Sequence, residues 1–350
     1  MKKINVLVVD DSAFMRKIVS DIINLDQDLH VVATARNGKE ALGKIKEYSP
    51  DIVTMDVEMP ILDGISTLKE IMKEHPLPVV MVSSITMEGA EATLKALELG
   101  AVDFITKPTN IFKMNTDEMK SLLTEKIKIA AKAKVTTSLR DHIVRTKKID
   151  KAVLSRENKY IKKIVAIGTS TGGPRALQDV IPYLPKNIPA SILIVQHMPA
   201  GFTKSLADRL NNLSEIHVKE AENGDVLQAG CAYIAPGGYH LRVVKDQAIL
   251  KIHLSKDDLV SGHRPSVNAM MNSLAELKLN NLVGVIMTGM GADGAEGMKN
   301  IKEQNGYTIA QNEETCVVYG MPKSAVNLGC IDQIVSLQDI ATTITKIVGV

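Results

Sequence analysis

The chain lacks most features that mark secreted, membrane-spanning or nucleic-acid-binding proteins. Its three cysteines are far apart and without metal-ligand spacing, which argues against a disulfide framework or a zinc site. No stretch approaches the ~18 consecutive apolar residues that span a bilayer. With 42 basic and 40 acidic residues, the net charge of +2 gives no electrostatic reason to expect nucleic acid or an anionic membrane. We expect a soluble, cytoplasmic protein with no membrane insertion and no nucleic-acid partner.

The sequence that is present predicts two α/β domains. Its 350 residues, 45% of them hydrophobic, can fill two cores. Residues 1–120 alternate strands and helices five times with near-continuous apolar strands, which predicts a five-stranded, doubly wound, flavodoxin-like domain. Residues 121–160 are lysine-rich with few apolar anchors and predict a charged, helical and partly flexible linker. Residues 161–350 begin a second alternating series, which predicts a Rossmann-like α/β domain with a mainly parallel sheet.

Polar side chains follow the strands of the first domain. Asp10 and Asp11 follow the first strand, Asp56 the third, Ser83 the fourth and Lys107 the fifth. Parallel strands end at one edge of a sheet, where three crowded carboxylates repel one another unless a cation such as Mg²⁺ neutralises them. Asp56 is then the natural nucleophile toward a phosphoryl donor. Lys107 supplies a fixed cation and Ser83 a hydroxyl for the phosphoryl oxygens.

The first domain resembles response-regulator receiver domains. The resemblance lies in the segments VVDDSAFMR, MDVEMPILDG, MVSS and GAVDFITKP. It implies that Asp56 is phosphorylated and that Asp10 and Asp11 help to bind Mg²⁺. It also places Phe104 at the position of the family's aromatic switch residue.

A candidate nucleophile opens the second domain. Gly168, Ser170 and Gly172 form a G-x-S-x-G pattern directly after a strand and before a helix that begins near Pro174. The glycines allow a tight turn that holds the serine hydroxyl clear of the sheet, and backbone N–H groups at the helix start can face an oxyanion. The same loop could instead bind a phosphate or only turn the chain.

Two further strand ends supply the partners of an acyl-transfer site. His197 ends the next strand, and Asp293 lies in a glycine-rich turn after the strand NLVGVIMTG. If these strands are parallel, Ser170 attacks, His197 removes its proton, and Asp293 orients the imidazole. Rival histidines and other candidates for a substrate-binding loop lie in turn-like sequence: His240, His263 and Arg264.

The second domain resembles the catalytic domain of CheB-type chemotaxis receptor methylesterases. The order Ser, His, Asp differs from that of α/β-hydrolases, whereas the segments GTSTGGP, VQHMP, APGG, GHRPSV, MTGMGADGA and VVYGMP match the methylesterases. The resemblance implies Ser170, His197 and Asp293 as the triad, with the backbone around Thr171 and Met290 as a candidate oxyanion hole. Asn268 and Cys316 depart from the family pattern, where an acidic and a small polar residue are common.

The resemblance also implies the substrate and the control of the enzyme. The substrates are glutamyl methyl esters on chemoreceptors, released as glutamate and methanol, and some receptor glutamines that are deamidated. The hydrolytic step needs no cofactor, and a chemotaxis histidine kinase is the phosphodonor. Our hypothesis is that the unphosphorylated receiver covers the hydrolase site and that phosphorylation uncovers it.

Three other interpretations remain open on the sequence. A DNA-binding output is the first, although the second half shows no helix-turn-helix pattern, basic recognition helix or zinc-ligand spacing. A nucleotide-phosphate loop at GTSTGG is the second, but that segment lacks the G-x-G-x-x-G spacing and the Walker lysine. A pseudoenzyme that only docks on receptors is the third, and the intact triad residues argue against it.

Overall fold

A computed structural model describes residues 3–84, 86–107, 117–133 and 160–350. The chain divides into two compact units, Met1–Asp141 and His142–Val350. Most of the predicted linker, residues 134–159, lies outside the described residues. Within the described ranges, no helix combines the length and apolar character that a membrane span requires.

The first unit contains a five-stranded parallel sheet of order β2-β1-β3-β4-β5. The strands are β1 (Ile4–Val9), β2 (Leu29–Ala35), β3 (Ile52–Asp56), β4 (Val79–Ser83) and β5 (Asp103–Thr106). The helices are α1 (Ala13–Leu25), α2 (Gly38–Tyr48), α3 (Gly64–Glu74), α4 (Met87–Glu98) and α5 (Asp117–Ala130). Helix α1 contacts α5, and α3 contacts both α2 and α4. Two such groups of helices are expected when helices cover both faces of a doubly wound sheet. The predicted fold class of this half is confirmed.

Helix α5 corrects the predicted start of the linker. Leu123, Ile127 and Ala130 lie one or two turns apart on one face of α5 and are buried. Lys126 Nζ donates to Asp103 Oδ1 and to the Phe104 carbonyl, both at 2.9 Å. Residues 121–130 therefore belong to the receiver core. The many lysines of this segment obscured its apolar stripe.

The second unit contains a seven-stranded parallel sheet of order β14-β13-β12-β6-β7-β9-β8. Its strands are β6 (Lys163–Thr169), β7 (Ala190–Gln196), β8 (His217–Glu220), β9 (Cys231–Ile234), β12 (Leu282–Ile286), β13 (Tyr307–Gln311) and β14 (Gln333–Val335). A separate antiparallel hairpin is formed by β10 (His240–Asp246) and β11 (Ile249–Ser255). The helices are α6 (Gly173–Gln178), α7 (Phe202–Leu213), α8 (Val267–Glu276), α9 (Ala295–Glu303), α10 (Met321–Asn327) and α11 (Leu337–Val348). The predicted Rossmann-like α/β fold is confirmed.

The strand order of this sheet creates a crevice at β6. The next strands in the chain, β7, β8 and β9, lie on one side of β6. The later strands β12, β13 and β14 lie on its other side. In open α/β sheets, ligands bind outside the carboxyl ends of the strands at such a switch point. The residues that follow β6, β7 and β12 therefore line the expected site.

Candidate active site

The turn after β6 is built for glycine. Gly172 has φ +77°, and a Cβ there would lie 2.7 Å from the Val317 side chain. At Gly173, the first residue of α6, a Cβ would lie 2.0 Å from Gln196 Oε1. The strand-to-helix turn therefore closes tightly around Ser170, as the G-x-S-x-G pattern predicts.

The backbone of Ser170 is fixed between neighbouring strands. Its N–H donates to the Thr288 carbonyl at 3.0 Å, and its carbonyl accepts from Gln196 Nε2 at 3.0 Å and from the Gly173 N–H at 2.8 Å. Its hydroxyl forms no hydrogen bond with any residue in the described part of the unit. The hydroxyl is thus available for reaction at a rigid position.

The imidazole of His197 lies at the same sheet edge. β6 and β7 pair in register at Thr169 and Gln196, so Ser170 and His197 each follow a paired residue. His197 Nε2 is 2.8 Å from Asp293 Oδ2. Its Nδ1 is buried and has no hydrogen-bond partner among the described residues. With Nε2–H donating to the carboxylate, Nδ1 keeps a lone pair that can accept a proton.

Asp293 is held by several donors in addition to His197. Its carboxylate accepts from Ser266 Oγ at 2.8 Å, from the Val267 N–H at 2.7 Å and from the Asn268 N–H at 3.0 Å. Burial raises the pKa of Asp293, but the hydrogen bond and charge of His197 and the two backbone N–H groups outweigh it, so the pKa lies below its usual value. The carboxylate therefore stays ionised and can stabilise a cationic imidazole.

The two candidate oxyanion donors belong to the turn that contains Ser170 and to the segment that packs against it. Thr171 is the next residue, and its carbonyl accepts from Thr288 Oγ1 at 3.0 Å. Met290 follows Gly289, where a Cβ would lie 2.8 Å from the Cβ of Ser170. Gly289 therefore packs closely against Ser170, and Met290 is the next residue in the chain. Their role as oxyanion donors stays a prediction.

The three substrate-loop candidates occupy different places. His240 is fully buried and its Nε2 lies 3.0 Å from the Asp258 carbonyl. Arg264 Nη1 donates to the carbonyls of Lys256 and Asp257 at 2.9 and 2.8 Å. These two side chains hold the loop that follows β11. His263 instead stacks on His197, with ring centroids 3.8 Å apart and planes 11° apart.

The carboxylates of the first unit also meet at one sheet edge. Asp10, Asp11 and Asp56 each offer an oxygen within 4.8 Å of the others, and Lys107 Nζ lies 3.0 Å from Asp10 Oδ2 and 2.6 Å from Asp56 Oδ2. Burial is the main cause that raises the pKa of Asp56 to about 6; the hydrogen bond from Lys107 lowers it and the charge of Asp10 raises it. Crowded oxygens of this kind fit a hard divalent cation such as Mg²⁺.

The other two receiver residues are close to this edge but engaged elsewhere. Ser83 Oγ donates to the Gly89 carbonyl at 3.1 Å. The ring of Phe104 is buried, and Lys126 Nζ lies 5.4 Å from its centroid. A phosphoryl group on Asp56 would compete with Gly89 for the Ser83 hydroxyl.

Comparison with known proteins shows the family to which this chain belongs. The family model for CheB methylesterase matches residues 165–344, and that for the response regulator receiver domain matches residues 6–117. A protein of Halalkalibacterium halodurans named protein-glutamate methylesterase/protein-glutamine glutaminase is 50% identical, and the match covers 98% of each chain. The chain belongs to the CheB methylesterase family.

Other CheB proteins extend the comparison. A Bacillus subtilis protein with the same name is 48% identical, with 99% of this chain and 98% of that protein covered. The crystal structure of the Thermotoga maritima CheB methylesterase catalytic domain is 46% identical with a TM-score of 0.52, covering 53% of this chain and 97% of that chain. The family resemblance predicted from the sequence motifs is confirmed.

Buried polar residues that the sequence motifs do not reveal also lie next to the site. Thr169 Oγ1 donates to Gln196 Oε1 at 2.6 Å, and Gln311 Oε1 accepts from the Thr288 N–H at 2.8 Å. Each of these four residues ends or closely follows an apolar strand next to the site. A polar residue at the end of such a strand was the available signal. Together they fix the backbone on both sides of Ser170.

Proposed function

We propose that this chain hydrolyses methyl esters of glutamate side chains on chemoreceptors and deamidates glutamine side chains to glutamate. The names of relatives that match nearly the whole chain support this proposal. The observation that carries it is the hydrogen bond between His197 and Asp293 at the sheet edge where Ser170 emerges. Serine, imidazole and carboxylate in this arrangement suit acyl transfer.

The reaction proceeds in two matched halves. Ser170 Oγ attacks the ester carbonyl while His197 Nδ1 takes its proton, and Asp293 stabilises the resulting imidazolium. The imidazolium returns the proton to the methoxy group, which leaves as methanol and gives a glutamyl ester of Ser170. Water, deprotonated by His197, then attacks this ester. The imidazolium returns the proton to Ser170 Oγ as the ester bond breaks, which releases glutamate and restores the serine. With glutamine as substrate, ammonia leaves in place of methanol.

The backbone of the turn assists this chemistry. The N–H groups of Thr171 and Met290 are the candidates that donate to the oxyanion formed in each half. Donors fixed before the reaction stabilise developing charge with little reorganisation. The rigid hold on Ser170 by Thr288 and Gln196 supports this assignment.

The receiver controls this activity through Asp56. Asp56 attacks a phosphoryl group supplied by a chemotaxis histidine kinase, and Lys107 and Ser83 then contact the phosphoryl oxygens. Asp10, Asp11 and Asp56 would hold Mg²⁺, which supplies charge neutralisation at the phosphoryl group. We place the protein in the cytoplasm, since its three cysteines lie in described residues, are buried and form no disulfide.

Labelling with a fluorophosphonate tests the hydrolase directly. The intact protein should be labelled at Ser170, faster after addition of Mg²⁺ and a small phosphodonor, and should release methanol from a methylated receptor fragment. Ser170→Ala should abolish both signals. Ser336→Ala, three strands away at the edge of the sheet, is the matched control and should behave as wild type. Absence of Ser170 labelling under every condition would overturn the proposal.

A further inference from the structure

We propose that His263 is a positioning residue for the catalytic base, acting through its ring rather than by contact with substrate. The inference rests on the proposed function, because it assumes that His197 is the base. Its carrying observation is the parallel stack of the two imidazoles, with centroids 3.8 Å apart.

His197 needs a second constraint. Its hydrogen bond to Asp293 fixes only Nε2, and Nδ1 has no partner among the described residues to hold the other side of the ring. Rotation about the bond between Cβ and the ring of a histidine has broad minima. A flat ring lying against one face therefore restricts the tilt of His197 and keeps Nδ1 in a fixed direction.

His263 is itself held in place. Its Nδ1 donates to the Ser261 carbonyl at 2.7 Å. Ser261 has a left-handed backbone with φ +54°, and its Oγ accepts from Asn268 Nδ2 at 3.0 Å. The position of the stacked ring is thus set by a strained turn that Asn268 supports.

The same residue joins this support to the carboxylate. The Asn268 N–H donates to Asp293 Oδ1 at 3.0 Å, and its side-chain oxygen accepts from the Gly297 N–H at 2.8 Å. One asparagine therefore holds both partners of His197, the stacked ring through Ser261 and the carboxylate directly. A positioning role requires supporting contacts of this kind, which fix the side chains on both sides of His197.

A metal site is the competing use of these groups. His197, His263 and Asp293 offer ligand atoms within 4.8 Å of one another. Ligand nitrogens must point their in-plane lone pairs at one ion about 2.0–2.1 Å away. Nearly parallel rings direct these lone pairs side by side instead of toward one point, so the stack favours positioning.

Kinetics of ring variants test the proposal. In the full-length protein, His263→Ala should lower kcat by about 10- to 100-fold with KM unchanged within about twofold, and slow fluorophosphonate labelling of Ser170 by a similar factor. His263→Phe keeps a flat ring and should recover part of the loss. His263→Asn keeps only a donor for the Ser261 carbonyl and should not recover it.

Two further variants separate positioning from other roles. Ser261→Ala removes the contact with Asn268 and should lower kcat less than His263→Ala, with little added effect in the double variant. His253→Ala, on the exposed face of β11, is the matched control and should be unchanged.

Several outcomes would overturn the inference. An unchanged kcat in His263→Ala is the first. A raised KM with normal kcat is the second, because it would indicate contact with the substrate. The third is a variant whose kcat and KM are normal but which added Zn²⁺ no longer inhibits, because that would indicate a metal site. An equal loss of kcat in His263→Ala, His263→Phe and His263→Asn, with normal thermal unfolding, would also contradict a role for the flat ring. Failure of the proposed function is distinct, since wild type would then show no labelling of Ser170.

Discussion

Asp293 combines two properties that conflict unless its surroundings compensate. It is 3% exposed, and yet its pKa lies below the usual value, so it is charged near neutral pH. A buried charge without partners costs several kcal/mol. Donors from His197, Ser266 and the start of α8 supply the compensation. The same donors fix the direction of the carboxylate, so the features that stabilise the charge also orient the imidazole of His197.

Asp293→Asn should therefore be far more harmful to turnover than its small change in volume suggests. The amide can donate its N–H to His197 Nε2 and so favour the tautomer that carries its proton on Nδ1. The same amide N–H would then face the N–H of Val267, so that two donors oppose each other. We expect kcat to fall by about 10³- to 10⁴-fold with Ser170 still in place. Methanol release from a methylated receptor fragment measures the loss, and a decrease of less than tenfold would contradict the assigned role.

Cys231 gives a pH-dependent prediction away from the site. Burial is the main cause that raises the pKa of this thiol to about 11. Only the thiolate reacts with alkylating agents, so at pH 8 about one molecule in a thousand is reactive at this position. Mass spectrometry should find Cys231 unmodified by iodoacetamide at pH 8 in the native protein and labelled after denaturation. Rapid native labelling would show that the strand β9 opens.

At the scale of elements, the turn between β6 and α6 depends on a glycine with two separate requirements. Gly172 needs both a left-handed backbone and the space beside Val317. Gly224 also has a positive φ, +89°, but a Cβ at that position would meet no atom within 4 Å. Comparison of the two positions separates backbone strain from crowding.

Gly172→Ala should destabilise the catalytic unit more than Gly224→Ala does. A left-handed alanine costs roughly 1–2 kcal/mol at either position, and only at residue 172 must Val317 also move. We expect a lower Tm and lost turnover for Gly172→Ala, against a lower Tm with normal turnover for Gly224→Ala. Thermal unfolding and methanol release measure the two effects, and equal behaviour of the variants would contradict the crowding.

Helix α5 predicts where an isolated receiver can end. Leu123, Ile127 and Ala130 bury their side chains, and Lys126 pairs with the buried Asp103. A fragment of residues 1–120 loses these contacts, whereas a fragment of residues 1–133 keeps them. We expect cooperative thermal unfolding for the longer fragment and little or none for the shorter one. Equal stability of the fragments would show that the last turns of α5 contribute nothing.

The strands could be predicted from the sequence, whereas the contacts around His263 could not. Apolar strands between turn residues predicted both sheets, because buried parallel strands are nearly continuous in hydrophobic residues. The ends of β7 and β12 bring His197 and Asp293 within hydrogen-bond distance, and their joint action with Ser170 stays a prediction. The stack of His263 and the bonds of Asn268 depend on how a loop folds back across the sheet, and no local periodicity encodes that path.

For the whole molecule, the two units must communicate if phosphorylation of one changes turnover by the other. A tenfold change in the active population needs about 1.4 kcal/mol of differential stabilisation. New charge-assisted hydrogen bonds to a phosphoryl group on Asp56 can provide that amount. Competition for the Ser83 hydroxyl, now donated to Gly89, gives the phosphoryl group a direct way to act on α4.

We expect a small phosphodonor with Mg²⁺ to raise methanol release by the full-length protein, and excess EDTA to remove only this increase. The triad needs no metal ion in the proposed mechanism, whereas the carboxylates around Asp56 repel a phosphoryl group unless a cation is present. Asp56→Asn should keep the resting rate of methanol release and lose the response to the phosphodonor, with Asp51→Asn as the control that retains the response.

A fragment beginning at residue 160 should release methanol faster than the resting full-length protein, and neither the phosphodonor with Mg²⁺ nor EDTA should change its rate. If that fragment is no faster than the unphosphorylated protein, the receiver does not restrain the catalytic unit, and phosphorylation must act by raising activity directly.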